Sequence, residues 1–169
     1  MSRGFVKEED QEEAPVIPPR AALPAGVINY VTPEGYKALE DEQKELELAR
    51  KNVDTENETE KRRAKAIIDG KLKLLAERRT AARIIYPNQQ PSGEVRFGAF
   101  VNLLNKNTNT LQAFKIVGVD EANVKQQKIA FVAPIAKAVT GKKVGEIVEF
   151  QLGQELRLLE IQKITYASE

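Results

Sequence analysis

"KNVDTENETEKRR", Lys51 to Arg63, sets four carboxylates (Asp54, Glu56, Glu58 and Glu60) between basic residues on both flanks. It separates two stripes that share one rhythm. Upstream, Tyr36, Leu39, Gln43, Leu46, Arg50 and Val53 recur in alternating steps of three and four, which is heptad spacing with polar interruptions. Downstream, Ala64, Ile68, Lys71, Leu75, Arg78, Ala82 and Ile85 keep the same rhythm. Each stripe is too narrow to be buried all round, and the connection between them is short and polar. The pair predicts an antiparallel helical hairpin with the acidic stretch at its tip.

Local signals place the ends of the arms. In "YVTPEGYKAL", Thr32 can cap a helix, Pro33 suits its first position and Val31 can staple onto Tyr36. At the tip, Thr55 with Glu58, or Asn57 with Glu60, can cap the return arm. Gly70 inside that arm costs about 1 kcal/mol relative to Ala and implies close packing or a tolerated bend.

After "YPNQQPSGE" the hydrophobic period switches to two. Val95, Phe97, Ala99, Val101 and Leu103 share a face, "NKNTN" supplies a turn and "LQAFKIVGV" returns. Beyond the "DEANVKQQ" loop come a strand in "KIAFVA", a short helix in "PIAKAVTG", and strands in "KVGEIVEFQL" and "LRLLEIQKITY". Phe97, Ile116, Phe131 and Phe150 are expected in the core. The fold class is therefore α+β: residues 29–86 form the hairpin and residues 87–169 a mostly antiparallel sheet domain with one short helix. Residues 1–28, acidic at the start and rich in proline in "APVIPPRAALPAG", are expected to form a tail that is flexible on its own.

Composition narrows the chemistry. The 169 residues contain no Cys, His or Trp, which removes disulfides, thiol and imidazole catalysis and the usual zinc ligands. A hard cation held by carboxylates stays open. The 26 basic and 25 acidic side chains nearly cancel, so electrostatic function must come from local segregation. "MSRGFVKEEDQEEAP" lacks the apolar core of a signal peptide, and no later run approaches a membrane span. The expected compartment is the cytoplasm.

The stretch "VRFGAFVNLL" through "LQAFKIVGVDEANVKQQKIAFVAPIAKAVTGKKVGEIVEF" resembles the C-terminal domain of the bacterial Gre transcript cleavage factors. "YVTPEGYKAL" and the segment around "IIDGKLKLL" resemble the start and return arm of that family's N-terminal coiled coil, so the likeness spans roughly residues 29 to 166. The resemblance implies an FK506-binding-protein-like (FKBP-like) C-terminal domain that docks at the rim of the RNA polymerase secondary channel, while the coiled coil enters it. Family carboxylates at the tip help to hold a second Mg²⁺ at the polymerase's own active site, where backtracked RNA is hydrolysed. The implied protein is a monomer and not itself an enzyme. It keeps no cofactor stably and meets Mg²⁺ only in the complex. Its partners are bacterial RNA polymerase and the nascent RNA 3′ end, with no membrane involved.

The family tip reads like G-D-x-S-E-N-A, with Asp and Glu three residues apart. Here "NVDTENET" lacks the Gly and Ser, and matching Glu56 and Asn57 to the family's E-N leaves Asp54 two residues before that Glu. The metal-facing pair is placed on Asp54 and Glu56. The arms are also about two heptads shorter in total, a loss of reach on the order of 10 Å. The same carboxylates would serve simply to complement the helix dipole, at roughly 0.3 to 1 kcal/mol each. Around them, Arg50, Lys51, Lys61, Arg62 and Arg63 form a basic collar that suits RNA, acidic channel walls or plain solvation. In "GVDEAN", Asp120 and Glu121 are either turn residues or polymerase contacts. Pro134, Ile135, Ala136 and Lys137 at the head of the short helix match the family's docking element, with Ile135 and Ala136 as an apolar anchor.

Three functions follow from this. The first is a secondary-channel elongation factor acting on paused or backtracked complexes, either stimulating cleavage or, like the Rnk-type regulators, occupying the channel without delivering a metal ligand. The second is an FKBP-like prolyl isomerase or chaperone, suggested by fold alone. The third is an adaptor whose hairpin pairs with another coiled coil, against which the polar seam residues Gln43, Arg50, Lys71 and Arg78 argue.

Overall fold

The computed structural model describes residues 14–166. The first half of the expected tail and the last three residues lie outside that range. Strand β1 (Asn29–Val31) leads into helix α1 (Pro33–Lys51), and helix α2 (Glu58–Ala81) returns into strand β2 (Ala82–Ile84). The two helices run antiparallel, as the pairs Arg50 with Asp69 (2.6 Å) and Glu40 with Arg79 (3.6 Å) require. Thr32 caps α1 by accepting the Gly35 amide at 2.9 Å, with Pro33 in the first turn. Within the hairpin helices the buried residues are Gly35 and Leu39 of α1 and Leu75 of α2.

The return arm ends earlier than its stripe suggests. Ala82 and Ile85 continue the heptad rhythm, yet the helix stops at Ala81, and residues 82–84 form a parallel two-stranded ladder with β1, Asn29 facing Ala82 and Val31 facing Ile84. Asn29 is buried, and its side-chain amide donates to the Arg78 carbonyl at 3.0 Å. That bond satisfies one of the carbonyls a helix C-terminus leaves without a partner. A tertiary ladder thus overrides the local pattern.

The second half is a five-stranded sheet in the order β5-β4-β3-β7-β6, made of β3 (Phe100–Asn105), β4 (Thr110–Val117), β5 (Lys128–Ala130), β6 (Ile147–Leu152) and β7 (Glu155–Thr165). All neighbours are antiparallel except β4 and β5. Helix α3 (Pro134–Val139) lies on one face, sending Ala136 and Val139, three apart on a single stripe, into a core with Val101, Leu103, Phe114, Ile116, Leu159 and Ile161. Of the aromatics expected inside, Phe97, Phe131 and Phe150 are only half-buried at its margin. Phe97 and Phe131 stack with Tyr30 from β1, with ring centroids 5.5 to 5.9 Å apart, and so belong to the junction between hairpin and sheet.

Candidate functional site

The tip is an open turn. Residues 52–57 join the helices, and of the two caps considered the Asn57 one forms, its Oδ1 accepting the amides of Thr59 (2.9 Å) and Glu60 (3.2 Å). The Glu60 carboxylate is committed to the turn, accepting from the Thr55 hydroxyl at 3.1 Å. Asp54, Glu56 and Glu58 remain exposed. Among the described residues, no group of three or more carboxylates converges on a point where it could hold a metal ion. As donors, Asp54 and Glu56 are hard oxygens suited to Mg²⁺, but two side chains fill only part of its octahedral shell. The remaining ligands would have to come from a partner.

The basic collar divides in two. Arg50 lays its guanidinium across the hairpin onto Asp69, Nε to Oδ1 at 2.6 Å and Nη2 to Oδ2 at 3.3 Å. This hydrogen bonding raises Arg50 above its ordinary pKa and lowers the Asp69 carboxyl below its own. Arg50 is thus a cross-brace between the arms. Arg62 reaches the Thr59 hydroxyl at 3.5 Å, Lys61 is half-buried, and Lys51 and Arg63 are exposed.

Asp120 and Glu121 follow β4, and both turn inward. The Asp120 side chain, only 8% exposed, meets Arg20 at 3.1 Å and Arg78 of α2 at 3.3 Å. Glu121 accepts from the Thr32 hydroxyl and pairs with Lys128 at 3.7 Å. Gly35 leaves room for this carboxylate: a Cβ on it would lie 2.6 Å from Glu121 Oε1 and displace it from its present position. Gly118 makes a similar approach, its notional Cβ 2.7 Å from the Tyr30 carbonyl oxygen. The two carboxylates therefore bind the hairpin to the sheet body. The partners Arg20, Arg78 and Thr32 were not legible as a set, since they come from segments up to a hundred positions away in sequence.

At the head of α3, Pro134 and Lys137 are exposed and Ile135 is half-buried, but Ala136 is fully buried in the core. The expected two-residue apolar anchor is thus reduced to Ile135, because the helix turns its 136/139 face onto the sheet. Lys137 also edges a cleft of about 620 Å³ between hairpin root and body, walled by Tyr30, Ile85, Phe97 and Phe131. Among the described residues no helix is long and apolar enough to cross a membrane.

Residues 90–166 match the family model described as "Transcription elongation factor, GreA/GreB, C-term". The transcription elongation factor GreA of Hyphomonas neptunium is 34% identical over 151 residues, covering 80% of this chain and 96% of that protein. GreA of Phenylobacterium zucineum is 30% identical with the same coverage. Among solved structures, GreA factor homolog 1 (Gfh1) of Thermus thermophilus is 22% identical over 80% of this chain and 97% of its own, with a TM-score of 0.39. A GreA/GreB factor from Nitrosomonas europaea is 19% identical over 81% and 98%, with a TM-score of 0.41. With identity at this level running from the hairpin through the sheet body, the chain belongs to the GreA/GreB family of transcription elongation factors.

Proposed function

We propose that this protein is a cytoplasmic, monomeric factor that docks on bacterial RNA polymerase through its C-terminal body and directs the hairpin tip into the secondary channel, where it acts on paused or backtracked complexes. It has no catalytic activity of its own. The single observation that carries this reading is a charged turn held out on two helices whose other end is fixed to a separate sheet body. Family membership supplies the partner class. In this reading residues 29–86 are a coiled coil and residues 87–169 an FKBP-like domain, with Pro134, Ile135 and Lys137 on its polymerase-facing side.

Asp54 and Glu56 would contribute carboxylate oxygens to a Mg²⁺ whose other ligands belong to the polymerase and the RNA. When bound, that ion would activate water and steady charge on the attacking and leaving oxygens. The exposed collar cations Lys51 and Arg63 would face RNA or channel wall. A second version, channel occupancy without cleavage, is favoured by the length of the first arm: the 19 residues of α1 give about 28 Å of rise.

A backtracked elongation complex separates the two. Shortened RNA that vanishes with the double change Asp54→Ala and Glu56→Ala establishes cleavage. Binding that slows elongation with no shortening establishes occupancy. Failure to bind polymerase at all would overturn both.

A further inference from the structure

The described part of the N-terminal segment is not a free tail. Residues 17–21 lie against the hairpin, and Ile17 seats in a notch that exists because residue 70 of α2 is glycine. A Cβ at that position would come within 2.4 Å of Ile17 Cδ1 and 2.6 Å of its Cγ1. Farther along, Arg20 sends Nη1 and Nη2 in a fork onto the two oxygens of Glu42 in α1, both at 2.9 Å. Its Nε donates to Asp120 of the sheet body at 3.1 Å. Arg78 of α2 shares that Asp120 and donates to the Ala21 carbonyl at 2.7 Å. The side chains of Arg20, Arg78 and Asp120 are 17%, 14% and 8% exposed.

Four parts of the chain meet at this one cluster: the N-terminal segment, both helices and the loop after β4. Without Arg20, α1 would lose its link to Asp120 through the segment, and Asp120 would keep one cation instead of two. The lever above the cluster is long. About 20 residues of α2 separate Arg78 from the tip, roughly 30 Å, so a swing of about 10° at the root moves the tip by about 5 Å. An ion-pair cluster at the root therefore governs a displacement larger than the reach of any single side-chain contact at the tip.

We propose that residues 15–24 act as a strap that fixes the direction of the hairpin relative to the sheet body, with Arg20 as the positioning residue and the Gly70 notch as its seat. This property belongs to the free protein and does not depend on polymerase binding. The strap holds by a guanidinium fork, an apolar seat and the Arg78 bond to the Ala21 carbonyl acting together, and the fork and the seat can each be removed by a substitution that leaves the residues of the other in place.

The chain has no cysteine, so spin labels go where they are put. With labels on Glu58→Cys near the tip and Gln154→Cys in the β6–β7 turn, pulsed electron spin resonance on the full-length protein should give one narrow distance distribution. Arg20→Ala should broaden or displace it by about 5 Å, while far-UV circular dichroism keeps its helical signal. Arg20→Lys, which keeps the charge but loses the fork, should fall between the two. Gly70→Gln raises helix propensity and closes the notch. It should broaden the distribution too, an effect opposite to that of merely stiffening the arm. Should Arg20→Ala fail to fold, Gly70→Gln carries the test alone, since it removes no ion pair. An unchanged distribution in either folded variant overturns the strap.

Discussion

The two ends of the hairpin are built on opposite terms. At the root, Asn29, Thr32, Gly35, Leu75, Asp120 and Glu121 are enclosed, and the Asn29 amide, the Thr32 hydroxyl and both carboxylates are engaged by partners, while Asn29 Oδ1 is buried without one. At the tip, Asp54 and Glu56 stand in solvent on a turn held chiefly by the Asn57 cap. Order is concentrated where the protein must hold itself, and the charged groups are left open where another molecule must complete their surroundings. Buried carboxylates here are structural joints, and exposed ones are candidates for chemistry.

The largest expected effect that would sharpen this contrast lies at the root. Leu75→Ala empties a fully buried position in α2 and should cost about 2 to 5 kcal/mol in urea-induced unfolding. Next comes Gly118→Ala, whose methyl meets the Tyr30 backbone and should cost about 1 to 3 kcal/mol. At the tip, Asn57→Ala removes the cap from an exposed helix end, and a loss of about 1 kcal/mol is expected in thermal unfolding. Asp54→Ala with Glu56→Ala should change stability by less than about 0.5 kcal/mol. If that pair unfolded the protein as Leu75→Ala does, the division between root and tip would be broken.

The smallest effect is a titration. Because the hydrogen bond from Arg50 holds Asp69 below the usual carboxylate range, the folded state binds this proton more weakly than the unfolded chain. The contact is therefore fully formed above the unfolded pKa and is lost as pH falls through the lowered folded value. Carboxyl chemical shifts followed by NMR should report a midpoint below the ordinary range, and Arg50→Ala should return it towards that range.

Much of the frame could be read directly because its signals are local. Heptad steps located α1 and α2, alternation located the strands around Val101 and Ile161, and Pro134 with Gly141 bracketed α3. What escaped reading depends on distant partners. The proline-rich segment has too little apolar surface to order itself, and it is held where Gly70 leaves a seat, Glu42 and Asp120 receive Arg20, and Arg78 reaches the Ala21 carbonyl. Asp120 and Glu121 sit in a stretch with ordinary turn chemistry, and nothing nearby says that they face inward. Ala82 fits the helical stripe but pairs with Asn29 instead. For the tip, sequence supplied the residues and the cap, whereas only three dimensions showed that Glu60 is held in the turn while Asp54, Glu56 and Glu58 stand exposed.

The short ladder between β1 and β2 has a mechanical consequence. It clasps the strand entering the first helix to the strand leaving the second, so the pair is shut at the bottom by hydrogen bonds as it is at the top by the chain itself. Splaying of the arms would have to break that clasp. The soft motion that remains is torsion of both helices together, and a load applied at the far end is delivered to the body as a turning moment, not a tear.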